Sequence, residues 1–123
     1  MNRPEEAVQR AAVELLLYCR PQVGRLPVVW FAVPNQRGTR EEYEVKILKA
    51  MGVRPGVADL IFLNVGVIEL KADEKGKLSP AQQVFRDECL AFGVRHAVCW
   101  SAEGVIETLR GWGVTFAIEP VFT

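Results

Sequence analysis

Two carboxylates and an ammonium stand close together in the middle of the chain: Asp59, Glu69 and Lys71. Glu69 and Lys71 lie in Val67–Ala72, an otherwise apolar run. A two-residue period turns both to one face, while Ile68, Leu70 and Ala72 turn to the other. Burying either charge alone is costly, so the two pair with each other, sit at an edge, or face a metal or ligand. Glu-x-Lys by itself is a weak motif, and a surface pair is its plainest reading. Asp59 changes the weighting. It opens the preceding apolar stretch, Ala58–Leu63, and Asn64-Val65-Gly66 between the stretches signals a hairpin. A three-residue loop with Gly66 at positive φ sets Leu63 opposite Val67, Ile61 opposite Glu69 and Asp59 opposite Lys71. All three charged groups then share one face. A two-residue loop at Asn64-Val65 turns Asp59 to the other side.

Such a trio suits hydrolysis of a phosphodiester. Paired carboxylates hold Mg2+, which prefers oxygen ligands and keeps several waters. The metal neutralises phosphate charge and lowers the pKa of a bound water, and a nearby ammonium orients that water or stabilises the transition state. Competing machinery is absent from the sequence. There is no P-loop and no G-x-S-x-G, so no nucleotide cofactor is expected, and a histidine triad could run only through His96, the lone histidine. His96 opens an apolar strand and reads as structural.

The elements that must position these groups follow from periodicity. A helix runs from Pro4 to Cys19, with Glu5 and Glu6 at the positive end of its dipole and Pro21 beyond it. Pro27–Pro34 is a β-branched and aromatic strand. The polar loop Asn35–Thr39 leads to a second helix, Arg40–Met51, closed by Gly52. After the hairpin comes a charged loop, Asp73–Leu78. Ser79-Pro80 opens a helix to Phe92, followed by a strand His96–Trp100, a helix Ala102–Trp112 and a last strand Val114–Ile118. Strand, helix, strand from Val67 to Trp100 predicts a parallel pair. The expected architecture is α/β, a mixed central β-sheet flanked by helices.

At 123 residues the chain makes one domain, spanning residues 1–123. Half of it is hydrophobic and 24% is charged, which excludes a disordered chain. The longest apolar runs, such as Val28–Val33, are strand-sized, so no membrane partner is expected. No basic stretch precedes an apolar run at the N-terminus, and a cytoplasmic location is the default expectation. Cys19, Cys89 and Cys99 are scattered among apolar neighbours and read as reduced core residues. Lys plus Arg and Asp plus Glu balance at 15 each, which counts against strong non-specific nucleic-acid binding but allows a local basic patch. Trp30, Trp100 and Trp112 read as core residues rather than base-stacking platforms, and the tail Trp112 to Ile118 either completes the sheet or forms a dimer interface.

Three segments together resemble a known family: Gly56-Val-Ala-Asp59-Leu60, Ile68-Glu69-Leu70-Lys71-Ala72 and Gly76-Lys-Leu78-Ser79-Pro80-Ala81-Gln82. They are similar to the VRR-NUC family of the PD-(D/E)XK nuclease superfamily. The likeness runs from the first helix to about Leu109, and the element order matches that superfamily's restriction-endonuclease-like α-β-β-β-α-β core with one inserted helix. The resemblance implies a Mg2+-dependent endonuclease, with Mn2+ as substitute. Small standalone members of phage or bacterial type imply a homodimer acting on branched DNA, as Holliday-junction resolvases do. A catalytically silent DNA-binding or assembly module with the same fold is the alternative.

By the same resemblance Asp59 and Glu69 are metal ligands, the Leu70 backbone carbonyl is a third, and Lys71 is the catalytic lysine. Gln82 matches the family's glutamine after Ser-Pro, although Ser79 to Gln82 also spells a capping box. Glu6 matches the first-helix acid that reaches the metal through water, with Glu5 its substitute if the helix is rotated; a glutamate there is also simply dipole-favoured. Val57-Ala58 stands where a proline often precedes the aspartate. Asn35, Arg37, Arg40, Lys75 and Lys77 are the candidate DNA contacts. The inserted helix either touches the DNA backbone or covers the core through Val45, Ile47/Leu48 and Met51.

Overall fold

The computed structural model describes residues 3–34 and 42–122, without the side chains of residues 3, 42 and 43. The loop holding Asn35, Arg37 and Arg40 lies outside the described residues. The first helix, α1 (Arg3–Cys19), carries Ala12, Leu16 and Cys19 on one buried stripe and ends where Arg20 takes a left-handed φ of 55° before Pro21.

The single strand expected over Pro27–Pro34 is divided between two sheets. A short hairpin, β1 (Pro21–Val23) and β2 (Leu26–Pro27), turns on Gly24-Arg25 with Gly24 at φ 63°. The last bond to β1 runs from the Val28 N–H to the Pro21 carbonyl at 3.0 Å, after which the chain crosses to the second sheet as β3 (Trp30–Ala32). The C-terminal strand β7 (Thr115–Phe116) pairs antiparallel with β1, closing a small sheet of order β2-β1-β7. The tail therefore completes a sheet, and Val114 and Phe116 are buried in the core.

The main sheet has the order β3-β4-β5-β6, with β4 at Leu60–Phe62, β5 at Gly66–Leu70 and β6 at His96–Cys99. The first three strands are antiparallel and β6 joins β5 in parallel across α3 (Pro80–Ala91). The α-β-β-β-α-β core is thus α1, β3, β4, β5, α3 and β6, and α2 (Glu42–Ala50) is the insertion. Val45, Ile47 and Met51 are exposed and only Leu48 is half-buried, contrary to the expected inward stripe. The helix sits outside the layers that could cover it, and no described element packs extensively against it.

The β4–β5 register differs from expectation by two residues: Phe62 pairs with Gly66, Ile61 with Val67 and Leu60 with Ile68. The loop is Leu63-Asn64-Val65, and Asn64 rather than Gly66 takes positive φ, at 62°. Gly66 lies inside the strand because the Trp112 ring and Arg95 fill the space a Cβ would need, the ring at 2.6 Å. A two-residue shift keeps every side chain on its expected face, whereas a one-residue shift would have inverted them.

One face of the main sheet forms the core. Leu60, Phe62, Ile68, Leu70 and Cys99 pack there against α1 and against Val105, Ile106 and Leu109 of α4 (Ala102–Gly111). Trp30 joins them, its ring stacked 6.1 Å from that of Phe62. Cys19 and Cys99 are buried and Cys89 is half-buried, all three as free thiols. No described helix is long and apolar enough to cross a membrane.

Candidate active site

The opposite face of the sheet holds the charged residues. Asp59 and Glu69 are 0% and 1% exposed, and Lys71 is also buried. Continuing the β4–β5 register by one residue sets Asp59 opposite Glu69. All three groups therefore lie on the side of β5 that α3 covers.

Asp59 sits where β4 has not yet begun, so past Ile68 the β5 backbone lacks its antiparallel partner. The Asp59 carboxylate takes that place: Oδ2 accepts the Leu70 N–H at 2.7 Å. The N–H and C=O of one strand residue project the same way. The Leu70 carbonyl thus shares the edge of β5 that faces Asp59, while the Lys71 N–H points away to the Cys99 carbonyl at 2.9 Å.

Lys71 is held from two sides. Its Nζ donates to Gln82 Oε1 at 2.9 Å, and the same oxygen accepts the Ser79 N–H at 2.8 Å. The Gln82 N–H in turn donates to Ser79 Oγ at 3.2 Å, completing the capping box of α3. Gln82 therefore caps its helix and touches the lysine at once. On the other side Gly76 lies against the lysine stem, where a Cβ would fall 2.8 Å from Lys71 Cβ. Gly56, at φ 84°, plays a similar part for Asp59: its Cβ would fall 2.4 Å from the Ala81 carbonyl oxygen in the first turn of α3. These two glycines entered the sequence reading only as motif letters. Their missing side chains let both flanking loops close on the site.

Glu6 is not turned inward. It ion-pairs with Arg10 at 3.1 Å on the exposed face of α1. Glu5 is the buried acid of this helix, because it shares the stripe of Ala12, Leu16 and Cys19, whereas Glu6 is rotated about 100° from it. Lys75 and Lys77 are exposed in the loop that follows Lys71, with the Lys75 N–H bound to Asp73 Oδ1. His96 pairs with Val67 toward the other end of β5 and packs edge-on against Phe85 of α3. Burial, reinforced by the Arg86 guanidinium, pushes its pKa below the ordinary value.

Among the described residues no group of three or more His, Cys, Asp or Glu side chains converges. The oxygen donors are two carboxylates and a strand carbonyl, a partial shell of hard ligands. That set fits Mg2+, which completes its octahedron with water and binds through one or two carboxylates. It does not fit zinc, which takes nitrogen and sulfur.

In the search of solved structures, a chain described as "VRR_NUC domain protein" superposes with a TM-score of 0.66. The match covers 88% of this chain and 86% of that one, at 21% identity. The fold is that of a VRR-NUC domain. No family model and no curated protein matches the sequence. Within this fold Asp59 stands just before β4, Glu69 lies in β5 and Lys71 just beyond it, with the α3 N-terminus against the lysine through Gln82. Trp100, expected in the core, is instead half exposed at the end of β6. Alternation along β6 carries the signal for this, since Cys99 faces α4 and its neighbour must face away.

Proposed function

We propose that this chain is a Mg2+-dependent endodeoxyribonuclease of the VRR-NUC kind, with Mn2+ as substitute, acting as a homodimer on branched DNA such as a Holliday junction. The observation that carries this reading is the burial of Asp59, Glu69 and Lys71 on one face of β4–β5, with the Asp59 carboxylate tied to the Leu70 backbone. In support stand the likeness to a VRR-NUC domain and the three sequence segments that resemble the family.

In this reading Asp59, Glu69 and the Leu70 carbonyl would hold the metal, and Glu5 rather than Glu6 is the α1 acid that would reach it through water. When bound, the metal supplies charge neutralisation at the phosphate and an acidified water. Lys71 presents its ammonium to the attacking water and to the charge that develops on phosphorus oxygens. Gln82 holds that ammonium in place, its Oε1 accepting from Lys71 Nζ at 2.9 Å, which fixes the direction of the side chain. Lys75 and Lys77 meet the flanking phosphates as exposed point charges.

The test is cleavage of four-way junctions, flaps and linear duplex by the purified chain with Mg2+, Mn2+ or EDTA, beside Glu69→Ala. Loss of cleavage in the variant with an unchanged circular dichroism spectrum is expected. Cleavage by Glu69→Ala at the wild-type rate overturns the reading. Scattering mass of the free protein tests the dimer.

A further inference from the structure

Three tryptophans differ in their surroundings. Trp30 stacks on Phe62 and Trp112 packs over Gly66, whereas Trp100 is 48% exposed. Its position relative to the site follows from the β5–β6 register. Val67 pairs with His96, Glu69 with Val98 and Leu70 with Cys99, so the next position sets Trp100 beside Lys71. Cys99 faces the core, with its sulfur 3.3 Å from Thr108 Oγ1 of α4, and His96 faces Phe85 of α3. Strand alternation therefore puts Trp100 on the face of Glu69 and Lys71. Neighbouring strands lie about 4.8 Å apart, so the indole stands within about one nucleotide of a phosphate bound at Lys71.

We infer that Trp100 is a base-stacking subsite: it takes the exposed face of one unpaired nucleobase flanking the phosphate held at Asp59, Glu69 and Lys71. This rests on the nuclease reading of that site. A broad indole face stacks on any base and so selects by access rather than by sequence. In continuous duplex both faces of every base are covered by neighbours. Only a base freed at a gap, flap or branch point offers a face, so the subsite favours cleavage beside unpaired nucleotides.

The experiment titrates wild-type protein, Trp100→Ala and Trp100→Phe with the oligonucleotide dT12 in Ca2+, which takes the same oxygen ligands as Mg2+, following tryptophan emission. In wild type, emission quenches on binding. In Trp100→Ala the quench is lost and Kd rises roughly 5- to 160-fold, the range for one base stacked on an aromatic ring. Trp100→Phe recovers most of the affinity. With Mg2+, the preference of wild type for a gapped over a fully paired duplex collapses in Trp100→Ala. Equal dT12 affinity in all three proteins overturns the subsite. So does a change from dimer to monomer in Trp100→Ala with oligonucleotide binding unaltered, which assigns the ring to a protein interface. If wild type binds dT12 with quenching yet cleaves nothing, the nuclease reading fails and the subsite stands. If it cleaves and Trp100→Ala keeps the substrate preference, the subsite fails and the nuclease reading stands.

Discussion

The Asp59 carboxylate accepts the Leu70 backbone N–H at 2.7 Å, so the residue at the mouth of β4 also finishes the hydrogen bonding of β5. Structural and chemical roles of Asp59 can therefore be separated. Asp59→Asn keeps an oxygen acceptor and loses the charge; it is expected to retain stability and lose cleavage. Asp59→Ala leaves a buried N–H without a partner and should cost about 1–3 kcal/mol in addition. Urea unfolding of both variants beside their cleavage rates checks the split. Equal stability of the two would remove the structural role.

Lys71 is aimed by Gln82 and by the absent side chain of Gly76. Gln82→Ala removes the acceptor of the lysine and half of the capping box, with an expected loss of about 0.5–2 kcal/mol in stability. Gly76→Ala sets a methyl 2.8 Å from Lys71 Cβ, an atom the backbone fixes, so the loop must shift and some stability is lost with it. In both, displacement of the ammonium by about 1 Å lowers kcat by up to about 100-fold with KM less affected. Single-turnover rates and thermal midpoints distinguish aim from folding. An unaltered kcat in Gly76→Ala would show that the loop does not direct the lysine.

Helix α1 offers two adjacent glutamates, one buried and one paired with Arg10 at the surface. Glu5→Gln is expected to weaken metal-dependent cleavage and raise the Mg2+ concentration needed for half-maximal rate. Glu6→Gln should leave cleavage unchanged and cost at most about 0.5 kcal/mol, as an exposed i,i+4 pair does. The reverse ranking in a Mg2+ titration would restore Glu6 to the site.

His96 gives the fold a pH dependence of known sign. Burial, with the Arg86 guanidinium adding to it, lowers its pKa from the ordinary 6.5. The folded chain then binds this proton more weakly than the unfolded chain. The stabilisation is fully present above pH 6.5 and is lost as pH falls through the lower folded value. Thermal midpoints from pH 7 to 5 should fall more steeply in wild type than in His96→Asn. Parallel slopes would assign the acid sensitivity to other groups.

Much of this molecule is legible in its sequence because the signals are local. The period of α1, the Ser79-Pro80 start of α3 with Gln82 three residues on, and the apolar runs of β4 and β5 each declare themselves within a few residues. The shared face of Asp59, Glu69 and Lys71 is also a parity statement, and parity survived a register that moved by two residues. What stayed hidden depends on distant partners. Gly66 is a glycine because the Trp112 ring occupies its Cβ position, not because a turn needs it. The break of Pro27–Pro34 into two sheets depends on β4, which lies beyond α2 in the chain and pairs with Trp30–Ala32 while Pro27 stays with β1.

The sequence by itself determined which charges share a face within one strand, Glu69 with Lys71, since alternation is a property of the backbone, while the β4–β5 register brought Asp59 to that face. Only the tertiary structure decided which of two neighbouring glutamates turns inward, which tryptophan stays outside, and that one glutamine both caps α3 and holds Lys71. Those choices depend on helix rotation and on how layers meet, and both are set by burial summed over the whole core rather than by any short segment.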